Sequence, residues 1–535
     1  MPIVKTRLSK QYDQRWAMLA SGFLALAGGM LMGLTVAPVE AWFLAWIALV
    51  PLWVLVASPT KRKTKLLSAV LWGIGYHGIA LSWITGVHPM MWMGVPWLAS
   101  IAIALFCWAA ITLWGAVLVT IWAVCMTVFS QGSGITRILI GIALWCGLES
   151  LWSLGPLYWT SLSYTQSPHN LVILHLGQLS GSLTVTAAIV AVNALLAEAW
   201  MKYERSGGGW GSGIKDKRAA IRVFASGCIL FVTLHLVGFG LYNRPLVQQP
   251  ETALRVGIIQ GNIPNPIKLY PEGLRRAIAG YTEGYLTLVD QGVEAVLTPE
   301  GALPFMWSEV QRTSLYSAVQ EKGVTAWIGA FGEQGQSYTN SIFTLTEKGE
   351  FSRYDKVKLV PIGEYIPFEQ VLGGLIQRLS PLEARQVPGL PDQIFDTPFG
   401  RAIAVICYSS AFPEQVRYQA AAGGQFILSA ANNAHYSPSM PAQHHAQDTM
   451  RAIETERWAV RATNTGYSGI VDPHGRTLWI SDINTYELHA ETIYRRTTQT
   501  LYVRWGDWLT PLLLGLAVVV KLTELYVSYP NSSER

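Results

Sequence analysis

From Leu66 to Thr136 the chain carries no Asp, Glu, Lys or Arg, and between Trp16 and Ala57 the only one is Glu40. Charge-free runs of this length constrain the fold more than any other feature. About 20 consecutive apolar helical residues cross a ~30 Å hydrocarbon core, where every backbone polar group must be satisfied internally. Similar apolar stretches return on both sides of a long polar region. The pattern predicts a polytopic α-helical membrane protein with eight spans, near 16–37, 41–57, 66–86, 95–128, 137–155, 171–201, 219–242 and 505–527. Lys5, Arg7, Lys10 and Arg15 before the first span have the look of a signal-sequence flank, but the apolar stretch after them is too long for one. A retained helix is expected.

Charge is segregated along the chain. Only 14% of the 535 residues are charged and 51% are hydrophobic, against roughly 25% charged in soluble domains, yet residues 244–504 hold 22 Lys/Arg and 25 Asp/Glu. Three parts follow: a membrane region 1–243, a polar domain 244–504, and a last span with a tail, 505–535. The apolar content excludes a disordered chain, and the polar part has no basic stripe of the kind that binds nucleic acid. Four cations precede the first span, four lie within Lys61–Lys65, one is Arg137, and six lie between Lys202 and Arg222. The alternate loops carry none. The positive-inside rule then predicts cytoplasmic termini and an outward-facing 244–504 domain. Ser206–Gly213, rich in Gly and Ser, reads as a flexible cytoplasmic connector.

Within 244–504, short β-rich runs alternate with amphipathic stretches. Strands are expected at 254–260, 295–298, 325–331, 341–346, 402–406, 426–429 and 468–471, and helices at 271–291, 308–322, 413–422 and 442–461. That alternation predicts a layered α/β domain with reactive groups at strand ends. Cys107, Cys125, Cys146 and Cys228 fall in predicted spans, which leaves Cys407 without a disulfide partner in the polar domain. It follows the apolar run 402–406 and precedes Pro413, a residue suited to the first turn of a helix. An exposed strand-end thiol with a pKa lowered by nearby helix-terminal N–H groups is the expectation. Taken singly, Cys407 is as readily a buried structural thiol, Glu300 a helix start and Lys356 a solvated loop residue. Each follows a predicted strand, so one sheet edge brings the three together, and a thiolate attacking an acyl group needs a proton acceptor and an oxyanion partner.

Five ordered motifs carry a resemblance to bacterial apolipoprotein N-acyltransferases: QGNIPNP at 260–266, TPEGALPF at 298–305, YDKVKLVPIGEYIPFE at 354–369, ICYSSAFPEQVR at 406–417 and RATNTGYSGIVDPHG at 461–475. The resemblance implies an extracytoplasmic nitrilase-like αββα sandwich between seven helices and one, in a bacterial inner membrane. It implies a catalytic Glu300, Lys356 and Cys407, with Glu364 supporting the lysine. Cys407 would take an acyl chain from a membrane phospholipid such as phosphatidylethanolamine as a thioester. The chain would then pass to the N-terminal amine of an S-diacylglyceryl-cysteine apolipoprotein. Thioester to amide is downhill, so neither a cofactor nor a metal is implied.

Several positions depart from the family pattern. Ser409 stands where Glu is frequent, Leu269 in place of a tryptophan, and Asn433 and His435 where Asp and Trp are common. Ser409 removes a carboxylate near the thiol, which favours thiolate formation. Leu269 and His435 bear on the lipid pocket and on the donor headgroup, because a histidine can hydrogen-bond a sugar or a phosphate. Glu149, inside a predicted span, is a further candidate for that pocket, though a lone Glu there also suits a structural role. Trp83, Trp92, Trp97, Tyr158 and Trp159 suit either lipid entry or, more simply, an interfacial aromatic belt. Three rival readings compete with this one. Transport is disfavoured by the near absence of charge within the spans. Metal hydrolysis through His435, His444, His445 and Asp448 is disfavoured because 444 and 445 point to different helix faces. A membrane-tethered amidase or lipid hydrolase with the same triad is the serious alternative.

Overall fold

The computed structural model describes residues 2–205, 214–361, 363–365 and 385–528. The predicted connector at 206–213 and the end of the tail, 529–535, lie outside the described residues. Six described helices are long and apolar enough to cross a membrane: Trp16–Gly33, Trp97–Phe129, Gly134–Leu154, Ser182–Arg205, Lys217–Tyr242 and Leu509–Val527. Their outward faces carry exposed large apolar residues such as Phe23, Phe106, Phe224 and Val519. Inside, Trp53, Trp72, Trp122 and Trp145 are buried and meet ring to ring at 5.4–5.9 Å.

Three predicted spans are irregular, and that at 66–86 is the helix Arg62–Ala80 followed by the 3-10 helix Ser82–Val87. The 41–57 segment is a 3-10 helix, Trp42–Trp46, followed by a short α-helix, Val50–Ala57. Buried amides complete its broken backbone pairing: Gln166 Nε2 donates to Trp42 O, Asn193 Nδ2 to Ala45 O, and Leu49 N to Asn193 Oδ1. Irregular backbone survives among apolar helices only with such partners. The 171–201 segment divides into two four-residue turns and the helix Ser182–Arg205. By contrast, the 95–128 segment is one unbroken helix of 33 residues, Trp97–Phe129. At about 1.5 Å per residue it exceeds the ~30 Å core.

Among its described residues the polar domain has thirteen strands: β1 Ala253–Gln260, β2 Ala295–Leu297, β3 Thr325–Gln334, β4 Ser337–Thr346, β5 Gly349–Asp355, β6 Arg385–Gln386, β7 Phe395–Thr397, β8 Gly400–Ile406, β9 Ile427–Ala431, β10 Ala459–Thr463, β11 Gly469–Val471, β12 Thr477–Ile480 and β13 Glu487–Tyr494. One sheet runs β13-β1-β2-β3-β4-β5, with β6 beside β4, and the other runs β12-β11-β10-β9-β8-β7. Strand alternation builds the layers. Leu254, Val256 and Ile258 of β1 and Ala402, Ala404 and Ile406 of β8 meet between the sheets. Ile259 turns outward onto Tyr281, Tyr285 and Leu288 of the helix Pro271–Asp290. Ile403 and Val405 pack on Val416 and Ala420 of Pro413–Ala421 and on Ala452 of Ser439–Thr455. The result is the expected α/β/β/α sandwich.

Local expectations need three corrections. The predicted helix 442–461 stops at Thr455, where Glu456 takes φ +58, and its last residues belong to β10, the strand parallel to β9. The predicted helix 308–322 breaks at Gln311–Thr313, because the Thr313 hydroxyl accepts from Tyr316 N and caps a new helix, Ser314–Lys322. The strands β5, β6, β7, β12 and β13 fall outside the expected ones.

Candidate active site

The parallel strands β1, β2, β8, β9 and β10 end at one edge, as strands must for a layered sheet to gather loop residues there. Cys407 is the first residue after β8 and opens the 3-10 helix Cys407–Ala411 with φ +47. That left-handed backbone is costly without glycine, by about 1–3 kcal/mol, and surrounding contacts fix it. The Cys407 carbonyl accepts from His444 Nε2 at 2.8 Å, and His444 Nδ1 accepts from the Asn433 amide at 3.2 Å. Burial brings this imidazole down to about 3, so it stays neutral. The thiol is 5% exposed, with Sγ 4.0 Å from Asn432 O. Burial pushes it up to about 12, the Glu300 carboxylate adds to the shift, and Lys356 opposes it. The sequence-based expectation of an exposed, acidified thiol is therefore reversed. Desolvation and a neighbouring negative charge outweigh a short helix end.

Glu300 follows β2 in a turn clamped to β3. Thr298 N donates to Trp327 O, and Gly329 N donates to Thr298 Oγ1. A Cβ on Gly329 would stand 2.0 Å from Pro299 O, so only glycine lets this turn lie on the strand. Lys356 directly follows β5, with its N–H on Asn340 O at 2.8 Å. Its Nζ donates to Glu300 Oε1 at 2.8 Å and Glu364 Oε1 at 2.6 Å. Asn340, in mid-β4, donates to the same two oxygens at 2.8 and 3.4 Å. Asn432 N donates to Glu300 Oε2 at 3.0 Å, and Val360 N to Glu364 Oε2 at 2.8 Å. Burial opposes ionisation of Glu300, but Lys356 overcomes it and holds the carboxyl below its ordinary range. Burial likewise opposes the Lys356 ammonium, and Glu300 and Glu364 hold it well above its ordinary value. The thiol and the Glu300 carboxylate meet at Asn432, whose O lies 4.0 Å from Sγ and whose N–H is bonded to Glu300 Oε2, and the two groups interact electrostatically.

The other predicted positions lie apart or on the rim. His435 pairs its Nδ1 with Asn265 Nδ2 at 2.6 Å and stacks against Trp92. Leu269 is 43% exposed at the end of the short helix Asn265–Lys268. Ser409 is buried, and its hydroxyl has no partner among the described residues. Glu149 is remote from this cluster: Trp145 Nε1, Leu162 N, Ser161 Oγ and Thr186 Oγ1 all donate to it at 2.9–3.1 Å, which ties the loop after Gly155 to two helices. Trp83, Tyr158 and Trp159 are buried against Ala411, Phe412 and Met440, in the seam between helices and sandwich. Trp97, by contrast, is 52% exposed. The side chains weighed as metal ligands have other partners. His445 meets Thr477, and Asp448 takes Ser410, Ser429 and Arg461.

Four contributors were not read from the sequence: Asn340, the Asn432 N–H, His444 as a brace for Cys407, and Lys268. Asn340 left no signal, because it precedes the expected strand 341–346 and sits among the polar residues Thr339 and Ser341. The Asn432 contact is main-chain and leaves no trace in residue type.

Comparison with known proteins bears on the whole chain. Residues 255–500 match the carbon-nitrogen hydrolase family model, and residues 28–195 match that of the apolipoprotein N-acyltransferase N-terminal domain. The chain is 66% identical over 492 residues to an apolipoprotein N-acyltransferase of Nostoc sp., covering 91% of this chain and 96% of the relative. It is 48% identical over 517 residues to one from Synechocystis sp., covering 92% and 99%. Among solved structures, a Nesterenkonia amidase of the nitrilase superfamily aligns over 51% of this chain and 100% of its own at 19% identity, with a TM-score of 0.37.

Proposed function

Since this chain belongs to the apolipoprotein N-acyltransferase family and is an acyltransferase of lipoprotein biosynthesis, we propose that Cys407 carries the acyl group as a thioester. The observation that supports this most is the meeting of Glu300, Lys356 and Cys407 in one buried cluster. A thiol held near 12 is protonated at neutral pH, so it becomes a nucleophile only while it hands its proton over. Glu300, kept ionised by Lys356, is the carboxylate beside it that accepts that proton. Sulfur attacks the ester carbonyl of a membrane phospholipid as Glu300 takes the thiol proton. The negative oxygen that forms meets Lys356, whose ammonium has three N–H groups and gives two to Glu300 and Glu364. Collapse expels the lysophospholipid alkoxide, which leaves with the proton from Glu300.

In the second half, the α-amine of an S-diacylglyceryl-cysteine apolipoprotein attacks the thioester. Glu300 takes the amine proton, the amide forms, and the sulfur leaves and is reprotonated. Glu364 keeps Lys356 turned toward the reacting carbon. This reading includes the division at 243/244 and 504/505, eight crossings of a bacterial inner membrane with both termini inside, and an outward-facing sandwich. Both substrates carry chains whose burial contributes about 0.8 kcal/mol per CH₂, which is why such a sandwich is joined to lipid-embedded helices. The alternative, a hydrolase with the same triad, differs only in the acceptor. The test is intact-mass analysis of purified protein incubated with phospholipid. A hydroxylamine-labile adduct of one acyl chain on wild type, absent from Cys407→Ser, is expected; an equal adduct on Cys407→Ser would sink the assignment.

A further inference from the structure

Lys268 is a second cation beside the nucleophile, and the mechanism above gives it nothing to do. It ends the short helix Asn265–Lys268, and its Nζ donates to the backbone carbonyl of Glu300 at 3.4 Å. It lies 3.6 Å from where a Gly301 Cβ would stand, and it interacts electrostatically with both Glu300 and Cys407. Among the described residues it meets no carboxylate within ion-pair distance and no acceptor besides that carbonyl, so two of its three N–H groups are uncommitted. Burial draws it down to about 8, with Glu300 and Cys407 pulling the other way, so it is largely charged at neutral pH.

Its neighbours complete a site of one chemical character. Asn265 is buried, and its amide donates to His435 Nδ1, which leaves Nε2 as the ring's N–H donor. The ring lies exposed at the rim of the site, and with Nδ1 accepting it is the neutral Nε2–H tautomer. Trp92, from the membrane region, stacks on its face at 6.1 Å. A partly buried ammonium next to a neutral N–H donor, one residue from the carboxylate at the reacting carbon, is a receptor for a small anion. An acyl donor drawn from a bilayer brings such an anion with it, since in a glycerophospholipid the phosphodiester is only a few bonds from the ester carbonyl.

We propose that Lys268, flanked by His435, is the specificity-determining cation that binds the acidic headgroup group of the acyl donor, a phosphodiester or comparable anion. This rests on the acyl-enzyme reading above and adds the recognition that precedes it. Acceptor peptides also carry anions, so the test uses the first half-reaction alone, with no acceptor present.

The measurement is the rate of acyl adduct formation on full-length protein in micelles. Donors are phosphatidylglycerol, phosphatidylethanolamine and an uncharged diacylglycerol of matched chains. Wild type should favour both phosphodiesters. Lys268→Met should slow them about ten- to a hundredfold, the range for loss of one charge-assisted hydrogen bond, and leave diacylglycerol within about twofold; Lys268→Arg should keep the preference. Glycerophosphate should inhibit wild type and not Lys268→Met, a readout that does not depend on comparing folded fractions. Equal slowing of all three donors would make Lys268 a positioning residue for Glu300 and overturn the proposal, as would unchanged rates or undiminished glycerophosphate inhibition. Absence of any adduct on wild type would instead remove the acyl-enzyme reading, and this inference with it.

Discussion

Two buried ionic clusters flank the turn that carries Cys407, and they differ in what they leave unused. Behind the turn, Asp448 accepts from Ser410 at 2.5 Å, from Ser429 at 2.8 Å and from Arg461. Arg461 gives three further N–H groups to Tyr467 O, Ser429 Oγ and Asn433 Oδ1. In front of it, Lys356 spends two of three N–H groups on Glu300 and Glu364, and Glu300 faces a thiol. Both clusters are buried charge in the same domain, and burial alone marks neither as catalytic. Spare hydrogen-bonding capacity next to a nucleophile does. A saturated pair holds a fold together, because removing one partner strands the other in a low dielectric.

Substitutions can break that contrast. Lys356→Met should have the largest effect, slowing adduct formation more than about a thousandfold. It removes the oxyanion partner, a loss of roughly 10²–10³ by itself, and leaves Glu300 and Glu364 to repel one another until one is protonated. Its thermal stability should fall far less than its rate. Asp448→Asn should do the reverse, lowering unfolding stability by about 3–5 kcal/mol while the folded fraction still forms adduct within about tenfold of wild type. Comparable rate losses in the two variants, read by intact mass against melting temperature, would erase the distinction. The sign in acid follows from Asp448, held at about 2 by Arg461 despite burial. Its contribution is full above the unfolded value of about 3.9 and is lost as pH falls toward 2, so Asp448→Asn should flatten the acid limb of stability.

A smaller effect is expected in the membrane region. Glu149→Gln replaces a carboxylate that accepts four bonds with an amide that has one acceptor oxygen. Some of its four donors are then orphaned, at about 1–3 kcal/mol, with the adduct rate unchanged; a large rate loss with an unchanged melting curve would move Glu149 into the substrate path. The smallest expected effect concerns pH. With the thiol near 12 and Glu300 below the ordinary carboxylate range, adduct formation should be nearly flat between about pH 7 and 9. It should fall only in acid, where Glu300 protonates. A roughly tenfold rise per pH unit through that window would mean that free thiolate, and not a thiol–carboxylate pair, is the attacking species.

Much of this was legible in residue order, and what was missed has identifiable causes. The charge-free runs and the apolar stretches of β1, β3 and β8 announce themselves because extensive burial demands largely apolar sequence. β10 was hidden because Ala459–Thr463 continues an amphipathic run, and only the left-handed Glu456 separates the two. β12 and β13 carry polar, partly exposed faces and so lack the apolar signature. The irregular 41–57 segment depends on Gln166 and Asn193, which are more than a hundred residues away. Glu300 and Cys407 were readable as residues directly after expected strands, whereas Lys356 follows β5, a strand with a polar, partly exposed face, and the Asn432 N–H is main-chain. The direction of the Cys407 shift could not be read locally, since it depends on burial in the core between the two sheets and on the Glu300 carboxylate.

The central claim is that the acyl group on Cys407 is destined for an amine. The direct test loads purified protein with phospholipid, removes excess donor, and adds a diacylglyceryl-cysteine peptide while both masses are followed. The account predicts that the adduct is stable in buffer and disappears when the peptide is added, with the peptide gaining one acyl mass as a hydroxylamine-resistant amide. Decay at the same rate with or without peptide, with free fatty acid as the product, would contradict it and make this sandwich a lipid hydrolase.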